Sequence, residues 1–334
     1  MKKPPFFRSF LALALLIGAG GAQARDIELS YRRVALNYEM PDKRKVGMLE
    51  YLGGLSISSS DTRFGGLSSL LISADGEHML AASDKGMWFS ADLLYGDDGN
   101  LSGVASGSMA PISGPDGKPL KGRYRDAEAL ARGPDGSVLL AFEQHHRILR
   151  FAAPFRLDAH GLAAEIPQLV TAPAELAKFN SNNAMEALVS LAGGGLLILT
   201  EGLDNERVGK PGWILHHGAP PGRLEYNRAA RFRPTGAARL ADGDIIVLER
   251  RYTLIGGVAA LLRRVAGDSI RPGALLDGPE IARLAPPLSV DNMEGIAARR
   301  DSAGRTLIYL LSDDNFSILQ RTLLLMFELR EAAP

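Results

Sequence analysis

Five stretches of the chain repeat one arrangement of apolar and polar positions: a short apolar run, a turn pair, a strongly apolar run, then an acidic residue. The first spans 66–72, Asp75-Gly76 and 78–83, and ends at Asp84. The second spans 128–131, Asp135-Gly136 and 138–142, ending at Glu143; the third spans 186–189, Gly193-Gly194 and 196–200, ending at Glu201. The fourth spans 236–240, Asp242-Gly243 and 245–248, ending at Glu249; the fifth spans 294–297, Ala303-Gly304 and 306–312, ending at Asp313-Asp314. Asp-Gly and Gly-Gly between apolar runs are the residues of a tight hairpin turn, whose central positions need φ > 0. Each repeat therefore predicts a β-hairpin.

Further strand-like runs at 148–151, 213–216, 258–265 and 323–329 bring the pattern to about four strands per repeat. The repeats start at 66, 128, 186, 236 and 294, a mean spacing of 57. That period with four strands is the signature of a propeller blade. A doubly wound α/β fold needs long amphipathic helices between its strands, and only 173–179 looks helical. The expected fold is all-β, a single β-propeller over 25–334. Five blades of this size leave roughly 25 residues over. Five or six blades therefore stay open, a sixth drawing on residues 40–60. Ile27, Leu29 and Tyr31 alternate with Glu28 and Ser30. That strand is expected to pair with 323–329 and close the ring, which removes an exposed sheet edge.

The N-terminus follows another rule. Lys2, Lys3 and Arg8 precede an apolar run over 10–17, then small residues ending in Ala22-Gln23-Ala24. This is the layout of a Sec-type signal peptide, with cleavage expected after Ala24. The apolar run is too short for a membrane span, which takes roughly 20 residues. The expectation is a periplasmic or secreted protein with no membrane insertion after cleavage. The absence of cysteine suits an oxidising compartment and excludes disulfides, thiolate metal sites and cysteine nucleophiles. Lys+Arg and Asp+Glu are equal at 38 each, so no basic surplus points to nucleic acid. A monomer is expected.

The acids carry the candidate chemistry. Residues equidistant from a hairpin turn sit side by side at its open end. Glu128 and Glu143 bracket one turn, Glu186 and Glu201 another, Glu294 and Asp313 a third. If the first strand of each blade borders the channel, Glu128, Glu186 and Glu294 are innermost at one mouth. Glu143, Glu201, Glu249, Asp84, Asp313 and Asp314 lie just outside, with Asn182, Asn183, Asp291 and Asn292 upstream. Converging carboxylates repel unless protons, arginines or a cation join them. An oxygen-rich set suits a hard divalent cation, Ca²⁺ first, with Glu128, Glu186, Glu294, Glu143, Glu201 and Asp313 as candidate ligands. The alternative is that these acids cap neighbouring loops. Arg125, Arg147, Arg250 and Arg321 are candidate forks for an anionic substrate, or else partners of the acids.

Other motifs exclude more than they offer. No G-x-S-x-G elbow occurs, and Gly209-Lys210 lacks the upstream glycine of a phosphate loop. His145-His146 and His216-His217 each offer one ligand at most to a given site, because strand neighbours face opposite ways. His146, close to Glu143 in the chain, is a candidate general acid or base. Asp97-Asp98-Gly99-Asn100 lacks the spacing of an EF-hand and reads as a solvated turn.

Several stretches resemble the phytase-like propeller family of bacteria labelled "esterase-like activity of phytase". They are Arg125 to Leu130, Glu143 with His146-Arg147-Ile148, Asn182 to Leu188, Leu248 to Arg251, and Asp291 to Ile296. The most specific is Ser312-Asp313-Asp314-Asn315-Phe316 running on to Gln320-Arg321-Thr322-Leu323-Leu324. The resemblance implies a propeller, export and Ca²⁺-dependent hydrolysis of phosphate or other esters. A hydrolase of this kind makes Glu128, Glu294 and His146 its catalytic candidates and takes a small anionic or ester substrate. The alternatives are a ligand-binding or scaffold propeller with a structural cation and no chemistry, and a gluconolactonase-like lactone hydrolase. The leader yields a direct expectation: N-terminal sequencing of exported protein reads from Arg25, and material still carrying residues 1–24 overturns the signal peptide.

Overall fold

Each Asp-Gly turn forms a hairpin, with the glycine and the aspartate in separate roles. Gly76, Gly136, Gly194, Gly243 and Gly304 all take φ between +80° and +97°, which costs glycine little. The aspartates before Gly76, Gly136 and Gly243 keep negative φ and act through their carboxylates. Asp75, Asp135 and Asp242 each accept the amide two residues on, at 2.9, 3.1 and 3.0 Å. The turns are thus an aspartate-braced turn followed by one left-handed glycine, rather than two residues at φ > 0.

The structure is a computed structural model that describes residues 24–153, 156–179, 185–202, 209–253 and 256–330. The leader through Gln23, and Asn182 and Asn183, lie outside the described residues. Five antiparallel sheets form five blades. Blade one runs outward from Leu71–Ile72 through His78–Ser83, Met87–Tyr95 and Leu101–Pro111, with Arg25–Asp26 added outside. Blade two is Ala127–Arg132, Val138–Phe142, Arg147–Phe151 and Gln168–Val170. Blade three is Ala187–Ser190, Leu196–Leu199, Lys210–Leu215 and Gly222–Tyr226, on which Leu275–Leu276 pairs in parallel. Blade four is Arg233–Arg239, Ile245–Thr253, Gly257–Val265 and Glu280–Leu284. Blade five begins Asn292–Arg300, Thr306–Asp313 and Thr322–Leu329.

Ring closure uses a different N-terminal segment from the one expected. Leu49–Ser59 pairs antiparallel with Thr322–Leu329 and completes blade five, from Leu49 opposite Leu329 to Ile57 opposite Thr322. Leu29–Arg33 lies one strand further out, against Leu49–Ser59. The alternation of Ile27, Leu29 and Tyr31 belongs to an edge strand, whose residues 30–33 are exposed. The closing strand is buried along most of both faces, so it shows no alternation. With residues 49–59 used in blade five, no sixth blade remains.

The core lies between blades rather than inside one sheet. One apolar cluster joins blades four and five, another blades five and one, and three more fill the remaining gaps. Around the axis the inner strands approach closely. A Cβ on Gly236 would sit 2.6 Å from the Glu294 carbonyl oxygen, and one on Gly295 would sit 2.9 Å from Leu70 Cβ. Leu55 is fully buried in the cluster of blades five and one, opposite Leu324. Leu55→Ala should cost about 2–5 kcal/mol of stability, read by denaturant unfolding. A cost under about 1 kcal/mol would mean that the closing strand does not hold the ring.

Candidate functional site

Strand irregularities aim the inner carboxylates. In blade two, Ala127 pairs with Phe142 and Ala129 with Ala141, so Glu128 is the extra residue of a β-bulge. In blade five, Met293 pairs with Ser312 and Gly295 with Leu311, which leaves Glu294 bulged. Blade four repeats this at Thr235, between Pro234 and Gly236. In blade one the register slips by one residue between the Leu67–Ser83 bridge and the Leu71–Leu80 pair. In blade three Glu186 immediately precedes the inner strand and donates its amide to Leu199 O at 3.2 Å. A bulge turns its side chain off the normal alternation. Here the result is a ring of Ser69, Glu128, Glu186, Thr235 and Glu294 lining a void of about 10 Å³, room for one water or ion.

A second ring follows the second strand of each blade. Glu143, Glu201 and Asp313 are buried there, and Asp84 is half-buried. In blade four the mouth position belongs to Arg250. Glu249, expected at the mouth, faces away because adjacent strand residues point to opposite sides. It is fully buried and accepts the Tyr226 hydroxyl at 2.6 Å and the Ala229 amide at 3.1 Å. Arg250 donates to Asn292 Oδ1 at 2.6 Å and lies 3.6 Å from Glu294 and 3.8 Å from Glu201. Glu201 also pairs with Arg233.

These acids hold protons unusually well. Burial, then the charges of Glu294 and Glu143, push Glu128 well above the usual carboxylate range. Burial and the charges of Glu143, Glu128 and Glu201 do the same to Glu186, which shares a hydrogen bond with Glu143. Two carboxyls in such contact need a proton or a cation between them. Glu294 is raised by burial, against the opposing pull of Arg250 and of Asn292, whose amide reaches it at 2.9 Å. Asp313 is pushed up to about 8, by burial and then by Glu294.

The remaining sequence candidates take separate places. Asp314 caps loops, accepting the Gly66 and Phe316 amides at 2.9 and 3.0 Å and the Thr322 hydroxyl at 3.0 Å. Arg321 is exposed and reaches Asp291 at 3.4 Å. Arg125 is exposed near Asp84. Arg147 is buried, donates to the carbonyls of His145 and Tyr124, and lies 4.0 Å over the Phe142 ring. His146 lines an off-axis groove with Arg147, and its Nδ1 is buried without a partner. Of the four arginines, Arg250 is the one set among the inner carboxylates.

The donor set fits a hard cation in kind. Its oxygens come from carboxylates in excess over guanidinium, and Ser69 Oγ, buried in the ring, has no partner. Its spacing is looser than a closed coordination sphere. Among the described residues, only Asp75, Glu77 and His78 place their candidate ligand atoms all within 4.8 Å of one another. They sit at a hairpin turn at the other end of blade one, where Asp75 already braces the turn and His78 Nδ1 meets Asp92 at 2.8 Å.

The raised acids carry a pH dependence of stability. Asp313 holds a proton in the folded state that the unfolded chain, near 3.8, has released. Its contribution is full below about pH 4 and is lost as pH rises through about 8. In chelator, the melting temperature should fall from about pH 5 to 8, and Asp313→Asn should flatten the fall. Equal slopes in wild type and variant would remove Asp313 as its source.

Solved structures give loose matches to this chain. Virginiamycin B lyase from Staphylococcus aureus is 11% identical, with a TM-score of 0.43 over 90% of this chain and 100% of that one. A protein of unknown function from Dyadobacter fermentans is 14% identical, with a TM-score of 0.44 over 92% and 94%. RS223 β-xylosidase is 13% identical, with a TM-score of 0.45 over 83% and 94%. None is similar enough to bear on activity. No curated protein matches. The model of one family, phytase-like, described as "esterase-like activity of phytase", matches residues 62–316, through all five blades, and the chain belongs to that family.

Proposed function

We propose that the protein is an exported, monomeric hydrolase of phosphate or carboxyl esters that works at the acidic mouth with a divalent cation, Ca²⁺ first. The observation that carries this reading is the pair of rings: Glu128 and Glu294 turned inward at β-bulges and Glu186 just before its inner strand, with Glu143, Glu201 and Asp313 behind them. Those six residues would hold the cation, which when bound polarises an ester oxygen and acidifies water. Glu128 and Glu294, whose hold on protons burial strengthens, would release them on ligating the cation, and an ionised carboxylate of the rings is then placed to take a proton from an attacking water. Arg250 anchors Glu294 and Glu201 and presents a fork to an anionic group entering from the face. Among the described residues no helix is long and apolar enough to cross a membrane.

A second reading is favoured by Arg250 itself. A guanidinium inserted among the carboxylates also suits a binding or scaffold propeller whose mouth is held by ion pairs and a structural cation.

Turnover separates the two. Phosphomonoesters, carboxyl esters and lactones should be screened after chelation and after adding back Ca²⁺ or Mg²⁺. The hydrolase reading expects cation-dependent turnover of one class, falling about a hundredfold or more in Glu128→Gln/Glu294→Gln. It also expects a melting temperature several degrees higher with cation, lost in the same variant. Cation stabilisation without turnover favours the second reading. Neither effect, with no metal on elemental analysis, leaves an ionic cluster alone.

A further inference from the structure

Off the axis, a groove of about 1280 Å³ opens between the segment 114–124 and the stretch 169–179 that leads from blade two to blade three. Its inner wall is the loop joining the second and third strands of blade two. Within that loop Glu143 turns to Glu186 in the mouth, while Gln144, His145, His146 and Arg147 line the groove. Two cavities of opposite character therefore share one short loop.

The groove is cationic. Lys118, Lys121 and Arg147 line it against one acid, Asp116, and two of the chain's six histidines stand beside them. Arg147 is fixed by two backbone carbonyls, so it stiffens the loop and leaves its charge in place. His146 Nδ1 is buried with no hydrogen-bond partner. A buried polar atom in that state costs about 1–3 kcal/mol unless something completes it. The remaining wall is apolar or aromatic. Tyr124 packs edge-on to His145 at 4.6 Å and is 42% exposed, Leu169 is 65% exposed, and Phe179 lies at the far end. Concavity, an apolar lining and a few convergent polar groups together describe a small-molecule site.

We propose that this groove binds a small organic anion with a flat apolar body, its acid group drawn to Lys118 and Lys121 and its body laid between Tyr124 and Leu169, against the His146 ring. The site stands apart from hydrolysis at the mouth and does not depend on it. A carboxylate and a phosphorus acid share the required chemistry.

Isothermal titration calorimetry in chelator, on the whole chain, tests this with 1-naphthoate, 1-naphthylmethylphosphonate and inorganic phosphate. Neither naphthyl probe is an ester, so the result is independent of turnover. At least one naphthyl acid should bind roughly tenfold or more tightly than inorganic phosphate, and the tighter of the two assigns the acid group. Lys118→Glu/Lys121→Glu should weaken it about tenfold or more, and added salt should weaken it too. His146→Ala, checked for an unchanged melting temperature, should weaken it several-fold. Glu128→Gln/Glu294→Gln in the mouth should leave it within about twofold, because neither side chain lines the groove and glutamine keeps the size of each. The proposal is overturned if no naphthyl probe binds at millimolar concentration, if binding survives both lysine reversals, or if it disappears in the mouth variant.

Discussion

Everything around the axis depends on one strand pairing. Leu49–Ser59 lies against Thr322–Leu329 and makes the last blade whole. Each of the five large apolar clusters sits between two blades, so it exists only while both neighbours are in place. An open ring would expose the faces of blades five and one and release the inner strands that hold Glu128, Glu186 and Glu294. Closure is therefore what makes it possible to hold like charges together. Carboxylates left to repel would spread apart; a ring packed on all sides by apolar contacts leaves them no direction in which to move. Their response is chemical instead, a firmer hold on protons.

The repeat was legible because it is written in residues with few alternative uses. A glycine at positive φ after a small or acidic turn residue has few alternative uses, and five such turns, three of them Asp-Gly, at similar spacing imply the architecture. The acidic mouth was legible for the same reason, since strand ends inherit the regularity of the turns. What escaped was anything governed by a single-residue shift. The bulges at Glu128 and Glu294 have no marker in side-chain type, and each shifts the register so that Glu143 lies opposite Asp126 and Asp313 opposite Asn292. In blade four Arg250 lies eight residues after Asp242, as Glu143 lies eight after Asp135, and takes the mouth position; Glu249 is one residue short of it and faces the other way. The closing strand was missed for the opposite reason. A strand covered on both faces loses its alternation, whereas the alternation of Ile27, Leu29 and Tyr31 ran into a strand whose residues 30–33 are exposed and so marked no buried face.

Charge is distributed to a purpose that the neutral total conceals. The chain balances 38 basic against 38 acidic residues, yet acids gather at the axis and bases beside blade two. The two regions meet at the loop after Phe142, where the hydrogen bond from Gln144 to Asp126 at 2.5 Å ties the groove wall to the approach of Glu128. Arg147 keeps that loop rigid through carbonyl contacts, so its side chains can face different ways without a compromise in backbone position.

The blade built from both ends of the chain also sets an order in time. The residues that pair across its seam are 265 to 280 positions apart. The closing strand is synthesised long before the strand it pairs with, so the seam cannot form until the C-terminal strand exists. Until then the closing strand is an apolar ribbon with a free edge, the kind of segment that pairs with the wrong partner. Its pairing spans most of the chain, so this seam carries the largest loop-closure cost of the strand pairings in the ring.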